Sequence, residues 1–189
     1  KEEEALSSLR RTGIAVVHIA DFLPPAVFDE LRDYAERRWG DPGIQATAKD
    51  RERDPLGAEG VKKSFLVSLW AGEHVLDLGH PFIRFSLSEP ILRVVAAYLG
   101  LAPKFRDWRL EATVPTPEGM RPRASQRWHR DQEDQKLVKT FLYLNDVDES
   151  AGPFMYVTGA HPDGKWAHLF PRVPPRGTLP MPEDVDSHI

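Results

Sequence analysis

His129-Arg130-Asp131, within the run Gln126-Arg127-Trp128-His129-Arg130-Asp131-Gln132, places an imidazole and a carboxylate two residues apart, just ahead of an apolar stretch. In an extended backbone, residues i and i+2 point to the same face, so one metal ion lies within reach of both. A histidine nitrogen and a carboxylate oxygen make two-thirds of the 2-His-1-carboxylate set that holds non-heme Fe(II). With 7 His in 189 residues a single match of this pattern is within chance, and two are present. The second, His161-Pro162-Asp163, lies in Gly159-Ala160-His161-Pro162-Asp163-Gly164, where Pro and Asp-Gly signal a turn. There Asp163 is suited to bonding its own backbone. Spacing keeps both candidates alive, and context favours the first.

The elements that must position these residues belong to an ordinary globular chain, 41% hydrophobic and 29% charged, with length for one domain and a substantial core. No apolar run approaches the roughly 20 residues of a membrane span. The start, Lys1-Glu2-Glu3-Glu4, is polar and acidic, unlike a signal peptide, and without Met it is expected to lie inside a longer product. Cysteine is missing, which excludes disulfides, thiolate zinc sites, iron–sulfur clusters and a cysteine nucleophile. A cytoplasmic location is the default. A net charge of −4 argues against a general nucleic-acid binder. From Lys104 to Lys139, nine Lys/Arg face six Asp/Glu, a balance suited to a solvated surface or an anion-attracting pocket mouth.

Gly13 to Ile19 reads as a buried strand rich in β-branched residues. A helix is expected from Pro25, with Val27, Leu31, Tyr34 and Ala35 as its apolar stripe and Trp39-Gly40 at its end. Asp41 to Lys63, with Asp-Pro twice, reads as a long loop. Phe65–Trp70 reads as a short strand and Pro90–Leu99 as a helix capped by Gly100. The period then becomes two in Asp107–Val114. Leu137–Leu144 is a strong strand pattern, with Asp146–Gly152 as a turn and Pro153–Val157 as its hairpin partner. Helices followed by strands suggest α+β with an antiparallel sandwich or barrel. The Pro-rich tail beyond Phe170 lacks periodicity and reads as loop. One hairpin cannot close a barrel, and open strand edges are a liability.

Several ordered segments resemble the phytanoyl-CoA dioxygenase family of Fe(II)/2-oxoglutarate oxygenases. These are Gly13-Ile14-Ala15-Val16-Val17 leading to Asp21-Phe22-Leu23, the helix end Tyr98-Leu99-Gly100, and Gln126 to Asp131. They are followed by Phe141-Leu142-Tyr143-Leu144-Asn145-Asp146-Val147-Asp148 and by Gly152-Pro153-Phe154 running to Gly159-Ala160-His161. The resemblance implies a fold that is α+β, mainly β: a double-stranded β-helix (jelly roll) with N-terminal flanking helices, incomplete at its C-terminus. Residues 1–189 would form one such domain, helix-rich over about 1–103, with barrel strands over about 104–170 and a loop over 171–189. It maps His129 and Asp131 onto the first two metal ligands, and His161 onto a Gly-Ser-His turn whose histidine is not a ligand. The implied cofactors are Fe(II), 2-oxoglutarate as co-substrate and O2. The implied reaction hydroxylates an unactivated C–H of a small organic substrate while 2-oxoglutarate is decarboxylated to succinate. A carboxylate at Asp131 favours hydroxylation over halogenation.

The chain departs from the family after His161. The family's distal His ligand, and the Arg that pairs with the far carboxylate of 2-oxoglutarate, have no clear counterpart. His168 is too near the turn, and His188 follows no strand pattern. The native polypeptide is therefore expected to continue past Ile189, with a strand bearing a His and, beyond it, an Arg. Two alternatives stay open: a non-catalytic jelly-roll binding module, and a cupin-like metal protein using His129, Asp131 and His188. Gln126 is a candidate contact to 2-oxoglutarate or a strand-surface amide. Phe141, on one strand face with Lys139 and Tyr143, is expected to face the barrel interior near 2-oxoglutarate. Trp128 reads as core packing or a wall of the metal site. His18, His74 and His80 read as structural or exposed, and Arg109 and Lys139 as solvated charges or anion attractors. The expected partner is a small-molecule substrate, with no nucleic acid and no membrane.

Overall fold

The structure is a computed structural model that describes residues 1–55, 63–70, 77–122, 124–129, 131 and 136–168. Helix α1, Glu2–Thr12, carries Glu2, Glu3 and Glu4 in its first turn and Arg10 and Arg11 in its last, each sign matched to the helix dipole. Gly13 ends it in the left-handed region at φ 83°, its N–H bonded to the Leu9 carbonyl. The strand expected from Gly13 to Ile19 does not form. Ile14 is tied back to the helix, its carbonyl accepting from the Ser8 and Thr12 hydroxyls at 2.9 Å, and Val16 is 91% exposed. A β-branched run without a neighbouring strand has no ladder to join.

Helix α2, Pro25–Trp39, starts with Pro at its first turn and buries Leu31 and Ala35, with Val27 and Tyr34 packed beside them. Helix α3, Pro42–Arg53, occupies most of the stretch expected to be a loop. Its Asp-Pro is a helix start: the Asp41 carboxylate accepts from the backbone N–H of Gly43 at 2.8 Å and of Ile44 at 3.3 Å, while Pro42 has no N–H to satisfy. Ile44 and Ala48, four apart, supply its buried face. The short helix α4, Pro81–Ser86, buries Phe82, Ile83 and Phe85. Helix α5, Glu89–Leu99, ends at Gly100 in the left-handed region. The Arg93 guanidinium spans from α5 to α1 with a two-pronged bond to Glu2, at 2.9 and 2.6 Å.

Strands β1, Leu66–Ser68, and β2, Glu111–Thr113, pair antiparallel with Val67 opposite Ala112. Bonds from Leu69 N–H to Leu110 and from Val114 N–H to Phe65, both 2.8 Å, extend the ladder at each end. Val67, Leu69, Leu110 and Val114 turn one face of this pair onto Leu31, Ala35, Ile44, Ala48, Phe82 and Phe85, which is the core.

The jelly roll is overturned. Among the described residues the structure is mostly helical, and its one sheet has two strands. Residues 137–144 and 153–157 lie beside one another, but a ring stack and a hydroxyl join them instead of a ladder. The Phe141 and Phe154 rings stack at 4.4 Å, and the Phe154 N–H donates to the Tyr143 hydroxyl at 2.9 Å. A capped turn joins the two segments. Asp148 caps a 3-10 turn at Glu149–Ala151, its carboxylate accepting from Ser150 and Ala151 N–H, and Gly152 follows at φ 69°.

Candidate metal centre

A 3-10 turn at Ala124–Gln126 leads into the candidate site, with Ala124 at φ 47°, left-handed for a non-glycine residue. Arg127 N–H bonds back to Ala124, and the chain then delivers His129 and Asp131. His129 Nε2 lies 3.7 Å from Asp131 Oδ1, and the Lys139 ammonium lies 2.7 Å from Oδ2. All three side chains are partly open to water, at 26%, 32% and 42% exposure. His129 Nδ1 lies 2.7 Å from the Arg127 carbonyl. A carbonyl only accepts, so the proton of a neutral ring sits on Nδ1 and the Nε2 lone pair is left facing the carboxylate. The Asp131 carboxylate is already met on its other oxygen by the Lys139 ammonium.

Two adjacent ligands bound about 2.1 Å from an octahedral ion lie about 3.0 Å apart, closer than the 3.7 Å between His129 Nε2 and Asp131 Oδ1. Nδ1–H donation to a backbone carbonyl is also the usual way a metal-binding imidazole has its ring oriented. The pair brings together one imidazole nitrogen and one carboxylate oxygen, both partly open to water. Among the described residues no group of three His, Cys, Asp or Glu side chains gathers to complete a metal site. His188 and His74 lie outside the described residues.

The second His-x-Asp match is built differently. His161 is buried, its Nε2 bonded to the Arg10 carbonyl at 3.2 Å, and its own carbonyl accepts the Gly164 N–H in a turn. Asp163 is exposed. This histidine docks a turn against the end of α1. Gln126 is half-buried, its amide 3.4 Å from the Thr116 hydroxyl. Phe141 is 54% exposed in its stack on Phe154, and the barrel it was expected to face is not formed. Trp128 is half-buried, and Arg109 pairs at the surface with Asp107. His18 accepts the Ala20 N–H and caps a turn.

Two arrangements were not legible in the sequence. One is the Lys139–Asp131 pair, eight residues apart with no local period to join them. The other surrounds His80, whose ring lies 4.5 to 6.1 Å from those of Trp108, Trp70, Tyr34 and Phe82. Its Nε2 meets the Tyr34 hydroxyl at 3.1 Å, while its Nδ1 and the Trp70 indole N–H are buried without hydrogen-bond partners. Burial holds the His80 pKa below its ordinary 6.5, against a smaller opposing pull from Asp77. No described helix is long and apolar enough to cross a membrane. No family model matches the chain, and no curated protein or solved structure matches it.

Proposed function

We propose that the protein is an Fe(II)/2-oxoglutarate-dependent dioxygenase that hydroxylates a small organic substrate in the cytoplasm, with His129 and Asp131 as two of its metal ligands. The observation that supports this most is the orientation of His129: with Nδ1 committed to the Arg127 carbonyl, Nε2 is presented to the same point as Asp131 Oδ1. The resemblance of the sequence around these residues to phytanoyl-CoA dioxygenases supplies the identity of the ion and of the co-substrate. When bound, Fe(II) with 2-oxoglutarate and O2 supplies the oxidation of an unactivated C–H coupled to decarboxylation to succinate. His129 offers a neutral nitrogen and Asp131 a negative oxygen, which lowers the charge of the site without filling it. The third ligand is assigned to residues outside those described.

Anaerobic titration with Fe(II), followed by measurement of succinate formed from 2-oxoglutarate, tests the reading. Wild type should bind one equivalent, His129→Ala should abolish binding and Asp131→Ala should weaken it severely. Equal binding by wild type and His129→Ala would overturn the site. Site-specific binding without succinate would leave a metal-binding module in place of an oxygenase.

A further inference from the structure

His80 stands at the start of α4, and its carbonyl accepts the Ile83 and Arg84 N–H groups at 3.1 and 3.0 Å, so it belongs to the first turn of that helix. The residue is only 8% exposed, among the rings of Trp108, Trp70, Tyr34 and Phe82. Nε2 meets the Tyr34 hydroxyl, and Nδ1 has no hydrogen-bond partner among the described residues. A neutral imidazole carries one N–H and an imidazolium two. The Tyr34 oxygen accepts from one of them, which leaves the second buried and unbonded beside a new charge. Ring faces attract a cation but accept an N–H far more weakly than a carboxylate or water does.

Outside the cluster the balance reverses. Residues 77–79 are exposed, and the His80 N–H bonds the Asp77 carbonyl at 3.0 Å, so the Asp77 carboxylate belongs to the same tight turn. One of its oxygens accepts the Gly79 N–H at 2.8 Å. Charged side chains on the elements around the ring have partners of their own: Glu30 of α2 with Arg84 of α4, Arg38 of α2 with Asp41, and Asp107 with Arg109 beside Trp108. Tyr34 and Asp77 are the ionisable groups that bear on His80, one by a bond and one by charge. We propose that His80 is a latch worked by protonation: neutral, it is held inside the aromatic cluster, and charged, it swings out beside Asp77 and opens the Trp70–Trp108 face to water while the rest of the core stays folded. The two positions differ in what each protonation state can bond, which is what a switch between two states requires.

The five tryptophans can be replaced by 5-fluorotryptophan and followed by fluorine NMR in water and in D2O, where the solvent isotope shift reports exposure of each ring. Trp70→Phe and Trp108→Phe assign the two resonances. From pH 7.5 to 4.5 both should move together, with a midpoint below the ordinary 6.5, and both should gain solvent isotope shift, while Trp39, Trp128 and Trp166 hold theirs. Well above the midpoint the open fraction should rise about tenfold for each unit that pH falls. His80→Gln should abolish the transition. Asp77→Asn leaves the buried ring in place and removes the counter-charge of the open state, so its midpoint should fall further. Movement of the two resonances without any gain in isotope shift would mean protonation in place and would overturn the latch. So would a midpoint above 6.5, a transition shared by all five resonances, or one that persists in His80→Gln.

Discussion

The helices and the small sheet, within the described residues of 2–114, differ from the irregular stretch 137–157 in how their backbone groups are satisfied. In the first region each helix bonds within itself, two glycine caps close α1 and α5, and the β1–β2 ladder is extended by a bond at each end. Its side chains then need only a common interior, which Leu31, Val67 and Phe82 provide. In the second region strand-forming residues lie beside each other without a ladder, linked by a ring stack and a hydroxyl, with Phe141, Tyr143, Phe154 and Met155 about half exposed or more. Helices close their hydrogen bonds locally; strands depend on a neighbour in register. Of the groups at the candidate site, Lys139 comes from this second region and reaches back to Asp131.

Cavity formation gives the largest test of this contrast. Leu31 is fully buried between α3, α4 and the sheet face, so Leu31→Ala should lower the unfolding free energy by about 2–5 kcal/mol. Phe141→Ala, removing half of an exposed stack, should cost about 1 kcal/mol or less. Chemical denaturation of the two variants side by side checks this, and similar losses would erase the distinction between the regions.

Gly13→Ala probes the joint between them. Gly13 needs φ 83°, and an added Cβ would run into the Tyr156 hydroxyl and fall 2.9 Å from His161 Cβ. The same joint carries the Gly159 N–H to Thr12 carbonyl bond at 2.7 Å. Strain and crowding together should cost about 2–4 kcal/mol. Hydrogen exchange should show the loss spreading into the turn around His161; protection unchanged there would detach that turn from α1.

The smallest effect is a pH dependence confined to the first region. His80 is buried neutral, with its folded pKa below the ordinary 6.5, so the unfolded chain binds more protons in the interval between the two values. Its contribution to stability is complete above about pH 6.5 and is lost as pH falls through that value toward the folded pKa, no more steeply than about 1.4 kcal/mol per pH unit. Asp148, also depressed but by its Ser150 and Ala151 bonds, loses its contribution only below its ordinary 3.8, so the windows are separate. Urea midpoints from pH 7.5 to 5 should fall in wild type and flatten in His80→Gln. Parallel slopes would place the titration elsewhere.

Local chemistry was readable from the chain wherever a short segment satisfies itself. The Pro25 start and apolar stripe of α2, the Gly100 cap of α5, and the strand character around Leu66–Ser68 and Glu111–Thr113 follow from residue types a few positions apart. The same holds for the turn at His161-Pro162-Asp163. Asp41-Pro42 shows the limit of such reading, since the same dipeptide opens a turn or a helix and only the burial of Ile44 and Ala48 decides. The strand-forming runs from Gly13 and from Leu137 declare a preference for extended backbone and no more, because a ladder needs a partner that the segment does not contain. For the candidate site, the i, i+2 placement of His129 and Asp131 was legible in the sequence. Tertiary structure alone set Lys139 against the second oxygen of Asp131 and enclosed His80 among four aromatic rings, since both arrangements join residues that no sequence period relates.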